Sequence, residues 1–429
     1  MFLIYGPRVR APLAHGYTNQ QNNLRILFPF SLTLVYHNFC YMQTTQHAPR
    51  NPYFNIPISL FLGLVIGALT LLFIYTLSAI DSYQGELNAA VPYHLALIPL
   101  VIVLINLAKR NTLYFPFKVA DLRGEVSSHF WSPIMAPLHF IGTCLSHLSG
   151  VSVGREGAAV MFSAGIVRLF RMSWLYWGPI ATTIGFSAVV GQYWVAPFFI
   201  SEMFDRSTLL QKIYAFMGSI VAVLLIQSFK PESLFHAVSF TTDMGFFKKL
   251  VFFFLFAACA GLIIRVYKKL YKVFSDYFKK SSMWFKVFVA FLLAVFLFTP
   301  EFRKFQSLGI LQITNLELLQ SSFLDVAAKL FLTLISTSLG FMGGEFIPLI
   351  YAGVHFGHSF FNSFGYSAVL GSGLAAYLFF AAGTRFKWTS YILLLGLMGF
   401  GWWFWGYFVI STAISFSGPL SLYKKETVN

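Results

Sequence analysis

The sequence predicts an all-α polytopic membrane protein, built as two repeats of broken, tilted helices whose N-termini meet at a midplane anion site. Three observations predict it. Mean hydropathy is +0.69 and 10% of residues are charged, against about 25% in soluble domains. Residues 346–384 and 388–423 are uncharged runs of 39 and 36 residues, each too long for a single span of ~20. Two glycine-rich breaks, Gly154–Gly157 and Gly343–Pro348, each hold one glutamate between apolar helices in corresponding parts of two halves. Paired interruptions of this kind point to an inverted-repeat transporter with its site between the repeats. The long apolar runs exclude an outer-membrane barrel, which needs short alternating segments.

Residues 1–50 are mixed in character and read as a cytoplasmic or interfacial segment. The first 25 residues lack the continuous apolar core of a signal peptide. The first membrane repeat covers 51–230, with spans at Phe54–Ala79, Val91–Ala108 and Ile213–Phe229. Met172–Ser201 is uncharged and contains Gly185, Gly191 and Pro197, so it reads as a broken pair of helices. A polar connection, 231–244, leads to the second repeat, 245–425. Its first spans are Leu250–Ile264 and Val287–Thr299, separated by what reads as the densest basic loop. Phe323–Leu339 holds one Asp and one Lys yet is apolar enough to be buried in a bundle. Residues 426–429 form a short tail with no room for a regulatory domain.

The net charge of +15 gathers in clusters such as Lys248-Lys249, Lys268-Lys269 and Lys279-Lys280, as the positive-inside bias of cytoplasmic loops requires. No basic soluble domain stands apart to bind nucleic acid. Cys40, Cys144 and Cys259 are scattered and show neither a disulfide framework nor metal spacing. His355 and His358 share a helical face without further ligands nearby, and together with His139 and His147 read as packing or cavity-lining side chains. No nucleophile–base or metal constellation appears, so neither an enzyme nor a cofactor is expected.

The chemistry concentrates at Gly154-Arg155-Glu156-Gly157. An uncharged run of 29 residues, Val126–Gly154, enters it and another apolar run leaves it. Charge at such depth marks function. A helix starting near Glu156 aims its free amides and positive dipole end into the break, which attracts an anion or a tethered carboxylate. Glu156 therefore reads as a built-in competitor for an anion site, against the plainer alternative of a glutamate paired locally with Arg155. Arg155 reads equally as a field element or as a buried partner of carbonyls.

These residues resemble the CLC family of chloride channels and anion/proton antiporters. Gly154-Arg155-Glu156-Gly157 is similar to its gating-glutamate motif, with Ala158 where proline is usual. Gly343-Gly344-Glu345-Phe346-Ile347-Pro348 is similar to its second anion motif. Ala196-Pro197 with Glu202, and Ser417-Gly418 with Tyr423, resemble two further motifs in the family's order. Within the family, Met135-Ala136-Pro137, Gly142-Thr143, Ser146-His147-Leu148 and the choice of Glu345 resemble the fluoride-exporting branch. Ile347 stands where that branch has a threonine, and Phe346 is the chloride-type aromatic.

The resemblance implies a homodimer in the plasma or inner membrane, with one pore per subunit, exchanging fluoride or chloride for protons. Glu156 would leave the site on protonation, and a carboxylate withdrawn from water beside a bound anion takes up a proton more readily. Glu345 and Glu202 are the further candidates for proton transfer, although Met203 occupies the place of the second inner acid. Glu345 reads alternatively as a helix cap. The anion would be held by backbone at Gly154, Arg155, Gly157, Phe346 and Ile347, by the Tyr423 hydroxyl, and by one of Leu113, Tyr114 and Phe115. A passive channel of the same fold and a non-transporting membrane scaffold remain as alternatives.

Overall fold

The computed structural model describes residues 55–89, 92–111, 122, 133–229, 245–309 and 321–418. Among the described residues its α-helices of eight residues or more are, in chain order, α1 (Asn55–Ala89), α2 (Leu97–Asn111), α3 (Met135–Leu148), α4 (Glu156–Leu169), α5 (Trp174–Val190), α6 (Ala196–Met203) and α7 (Leu209–Ser228). There follow α8 (Phe246–Lys280), α9 (Met283–Phe298), α10 (Phe323–Leu339), α11 (Phe346–Ser363), α12 (Ala368–Thr384), α13 (Lys387–Met398) and α14 (Trp403–Phe416).

Several of the second seven match their counterparts in length. Both α1 and α8 have 35 residues, α2 and α9 have 15 and 16, and α5 and α12 both have 17. α5 and α12 stop alike, each on a left-handed C-cap residue, Gly191 at φ +76° and Arg385 at φ +64°. Of the described helices, α1 through Glu86, α7 and α8 are long and apolar enough to cross a membrane singly; the others are shorter pieces.

Local chemistry sets the boundaries. α10 opens with a capping box in which Ser322 and Asp325 satisfy each other's backbone N–H, and it covers the expected Phe323–Leu339. Thr208 and Gln211 do the same for α7. The uncharged stretch 172–201 is indeed broken, after Val190. One expectation is corrected: Arg265, Lys268, Lys269, Lys272, Lys279 and Lys280 do not lie in a loop between spans but on the last part of the continuous α8. Lys and Arg are good helix formers; Lys268 is buried and donates to the Ala382 carbonyl at 3.0 Å and the Ser417 hydroxyl at 3.2 Å.

Close packing comes from small residues, as expected where lipid supplies no hydrophobic force between helices. α11 and α12 form a hairpin in which Gly357 and Gly371 meet backbone to backbone, so a Cβ at Gly357 would overlap the Gly371 carbonyl. Two buried apolar clusters result. One gathers α1, α4, α5 and α7, and the other spans the second repeat and reaches into the first.

Candidate functional site

The two glycine-rich breaks meet. Gly154 N–H donates to the Gly344 carbonyl at 2.5 Å and Gly344 N–H donates to the Gly154 carbonyl at 2.6 Å, an antiparallel bridge. Gly154 lies two residues before the first residue of α4, and Gly344 two before the first of α11. The two bridged glycines thus hold equivalent positions ahead of their helices. The approach is so close that a Cβ on Gly157 would stand 2.8 Å from the Gly344 Cα. Gly343 has φ +147°, and a Cβ there would stand 2.6 Å from that of Val153. Only glycine meets both demands.

Both helix starts converge on this bridge with amides to spare. Neither N-cap residue, Arg155 for α4 or Glu345 for α11, caps its helix with its side chain. On α11 the first intrahelical bond runs from Leu349 N–H to the Glu345 carbonyl, at 3.0 Å. Pro348 has no N–H, so the helical donors left at that end belong to Phe346 and Ile347. On α4 the first bond runs from Ala159 N–H to Arg155, leaving Glu156, Gly157 and Ala158.

Glu156 is 1% exposed. Its side chain folds back over Gly154, so that Oε2 is 3.1 Å from where a Gly154 Cβ would stand. Oε1 is 3.4 Å from Arg155 Nε. The amides facing the carboxylate are its own and that of Ile347. Neither oxygen makes a short, straight hydrogen bond, so these amides hold the carboxylate by looser electrostatic contact. A carboxylate thus rests at the N-terminus of α11, in the place and field that suit a free anion.

Aromatic rings enclose one side. Phe346 packs edge-on against Phe380 with centroids 4.4 Å apart and against Phe186 at 5.7 Å. Phe186 stacks on Phe199 at 4.1 Å. Tyr377, buried on α12, feels the charge of Glu156. Sequence reasoning passed it over, since a tyrosine in an apolar run carries no distinguishing mark.

The remaining candidates divide. Glu345 is buried at the N-cap of α11, immediately after the bridge. The Glu202 carboxylate accepts from Trp388 N–H at 2.7 Å, Thr389 N–H at 2.9 Å and Thr389 Oγ1 at 2.7 Å, and so caps α13. Met203 beside it is buried. His355 bonds the Ser321 hydroxyl at 2.9 Å and stacks on Tyr351, while His139 and His147 are buried. Leu113, Tyr114, Phe115 and Tyr423 lie outside the described residues, as do residues 1–50, the connection 231–244 and the tail 426–429.

A family model described as "Voltage gated chloride channel" matches residues 116–417. The chain belongs to this family. As a member it is an integral multi-pass membrane protein. Three solved structures share the CLC fold. A CLC-type fluoride/proton antiporter overlaps with a TM-score of 0.75 at 20% identity, covering 86% of this chain and 96% of the other. A slow cyanobacterial Cl-/H+ antiporter overlaps at 0.70 and 15% identity, covering 86% and 95%. A eukaryotic CLC transporter overlaps at 0.67 and 13% identity, covering 86% and 72%. None of the curated proteins matches the chain in sequence. The fold expected from the two interrupted helices is therefore the fold found.

Proposed function

We propose that this CLC chain exchanges a halide for protons, with Glu156 as both gate and proton carrier. One observation carries the reading: the buried Glu156 carboxylate rests against the Ile347 amide, where the N-termini of two half-helices meet. Ionised, it fills the position an anion needs. Protonated, it loses its attraction to the helix end and to Arg155, swings away and admits the halide. A low-dielectric aromatic wall strengthens each of these electrostatic terms.

Fluoride is the first substrate to test and chloride the second. Fluoride is supported by Glu345 and by the Met135–Gly157 segment, which resembles the fluoride-exporting branch, and it is the substrate named for the structural match at TM-score 0.75. Chloride is supported by Phe346 and Ile347. The same likeness supports a homodimer with one pore per subunit, placed in the plasma or inner membrane, with Tyr423 and one of Leu113, Tyr114 and Phe115 completing the anion site.

A passive channel is the second reading. What favours it is Glu202: its carboxylate is engaged in capping α13, and Met203 beside it cannot take a proton. Reconstitution separates the readings. Vesicles loaded with fluoride or chloride are followed for efflux with and without a pH gradient. Exchange requires that the pH gradient alone drive halide uphill, and a flux indifferent to that gradient supports the channel.

A further inference from the structure

α8 is longer than one crossing needs. At 1.5 Å per residue its 35 residues reach about 52 Å, whereas roughly 20 residues cross a hydrocarbon core of about 30 Å. The uncharged run 250–264 falls within those first turns, and charge resumes at Arg265. The remainder of α8, to Lys280, therefore lies at and beyond the headgroup level. Tyr277 and Trp284, 57% and 81% exposed, are aromatics of the kind that settle at that level.

This end of the helix is held at a fixed rotation. Tyr267, Lys268, Ser275 and Phe278 are buried. Lys268 Nζ ties it to the Ala382 carbonyl in the last turn of α12 and to the Ser417 hydroxyl just after α14. Phe278 packs on Phe285 of α9 with ring centres 6.2 Å apart. What faces outward is thereby set. Val266, Leu270, Val273 and Tyr277 are exposed and, spaced four, three and four apart, form one stripe along the helix. Arg265, Lys269, Lys272, Lys279 and Lys280 form the adjacent exposed stripe, with Asp276 as its one acid. Between 265 and 280 no neutral polar side chain is exposed.

The positive-inside bias and the dipole of the helix end account for the lysines. Neither accounts for an exposed apolar stripe laid alongside them. Acyl chains cover apolar surface and headgroup phosphates pair with ammonium and guanidinium groups, so the two stripes together match one leaflet of anionic lipid. A second copy of this chain would bring the same excess of positive charge and be repelled.

We propose that residues 265–280 of α8 form a docking surface for anionic phospholipid, with acyl chains along Val266, Leu270, Val273 and Tyr277 and phosphates on the basic stripe beside them. This surface is separate from the Glu156 site, and the proposal holds whether the protein exchanges halide for protons or conducts it.

The test is lipid retention by the full-length protein. It is equilibrated in mild detergent with equal amounts of phosphatidylglycerol and phosphatidylcholine of identical chains, and the lipid that stays bound is weighed by mass spectrometry. Wild type is expected to retain phosphatidylglycerol about fivefold over phosphatidylcholine, the effect of one basic side chain per phosphate. The preference falls towards unity in Lys269→Gln/Lys272→Gln/Lys279→Gln/Lys280→Gln, and as salt rises from about 0.05 to 0.5 M. It is unchanged in Lys248→Gln/Lys249→Gln, at the opposite end of the same helix. Leu270→Gln/Val273→Gln lowers the amount of phosphatidylglycerol bound, because the chains lose their stripe.

No preference in wild type, or the same preference in the fourfold lysine variant, overturns the proposal. Equal loss in Lys248→Gln/Lys249→Gln overturns it as well, since any basic end would then serve. Displacement of the lipid by inorganic phosphate, with Leu270→Gln/Val273→Gln binding as wild type, overturns it in favour of a site for soluble phosphate. Should the fourfold variant not fold, Lys279→Gln/Lys280→Gln and the wild-type salt series read the same surface: a preference that withstands both contradicts it. Halide flux plays no part in these readouts, so their failure leaves the transport reading intact.

Discussion

The starts of α4 and α11 are one piece of backbone written twice with different side chains. Each follows a glycine-rich break, each leaves first-turn amides uncapped, and each pairs its glycine, Gly154 or Gly344, with the other. At the first helical position they part company: Glu156 on α4, Phe346 on α11. On the proposed reading, the capacity to hold an anion belongs to the two uncapped helix starts, since amide donors need no side chain, and the gate belongs to one side chain on one of them. The comparison also explains the asymmetry of the pocket. The α11 phenylalanine joins the aromatic wall, while the α4 glutamate faces its own amide and that of Ile347 at the start of α11.

Substituting the gate breaks the comparison most severely. Glu156→Ala leaves both helix starts without a carboxylate, and proton coupling is expected to vanish outright. Wild-type halide flux is expected to rise as pH falls, since on this reading protonation clears the site. In the variant it becomes flat from pH 5 to 9, as measured by halide-selective electrode on vesicles.

Next in size is the backbone. Gly343→Ala forces an L-residue into φ +147° against Val153. About 2 kcal/mol or more of stability is expected to go, with a drop in thermal midpoint and in halide flux together; the same change at Gly365, which has open space around it and φ +72°, carries only the dihedral cost. Equal losses at the two positions would remove the argument for a crowded bridge.

Smaller again is Glu202→Gln. The carboxylate accepts three bonds at the start of α13, and weakening that cap is expected to cost ~1 kcal/mol. If capping is its whole task, coupling survives. A collapse of the proton-to-halide ratio at full stability would reassign Glu202 to proton transfer. The smallest effect expected is that of Glu345→Gln. It changes the N-cap of α11 without touching the amides of Phe346 and Ile347, so halide flux stays within about threefold, the range of a ~0.6 kcal/mol perturbation.

Much of this was legible because membrane burial writes charge spacing into the sequence. The breaks at Gly154 and Gly343, the α10 boundaries and the interruption within 172–201 could be read directly. The continuity of α8 could not, since lysines that close a span look the same in a loop as on a helix that runs on past the lipid. The position of Glu156 was legible; its contact with Ile347 was not, because it joins residues 191 apart in sequence. The link from Lys329 to Asp81 was hidden for the same reason. The lysine was visible within an apolar helix, but Ser307, whose carbonyl accepts from Lys329 and whose hydroxyl donates to Asp81 on α1, has no sequence mark for its left-handed backbone. The capping of α13 by Glu202 depends on the placement of that helix, which only the fold supplies.

The central claim concerns what occupies the amino end of α11. Anomalous diffraction from crystals soaked in bromide, for wild type and Glu156→Gln, addresses it directly. The account predicts bromide at the Ile347 amide in Glu156→Gln, and the Glu156 carboxylate in its stead in wild type at alkaline pH. Bromide bound there equally in both, or absent from that amide in both, would contradict it.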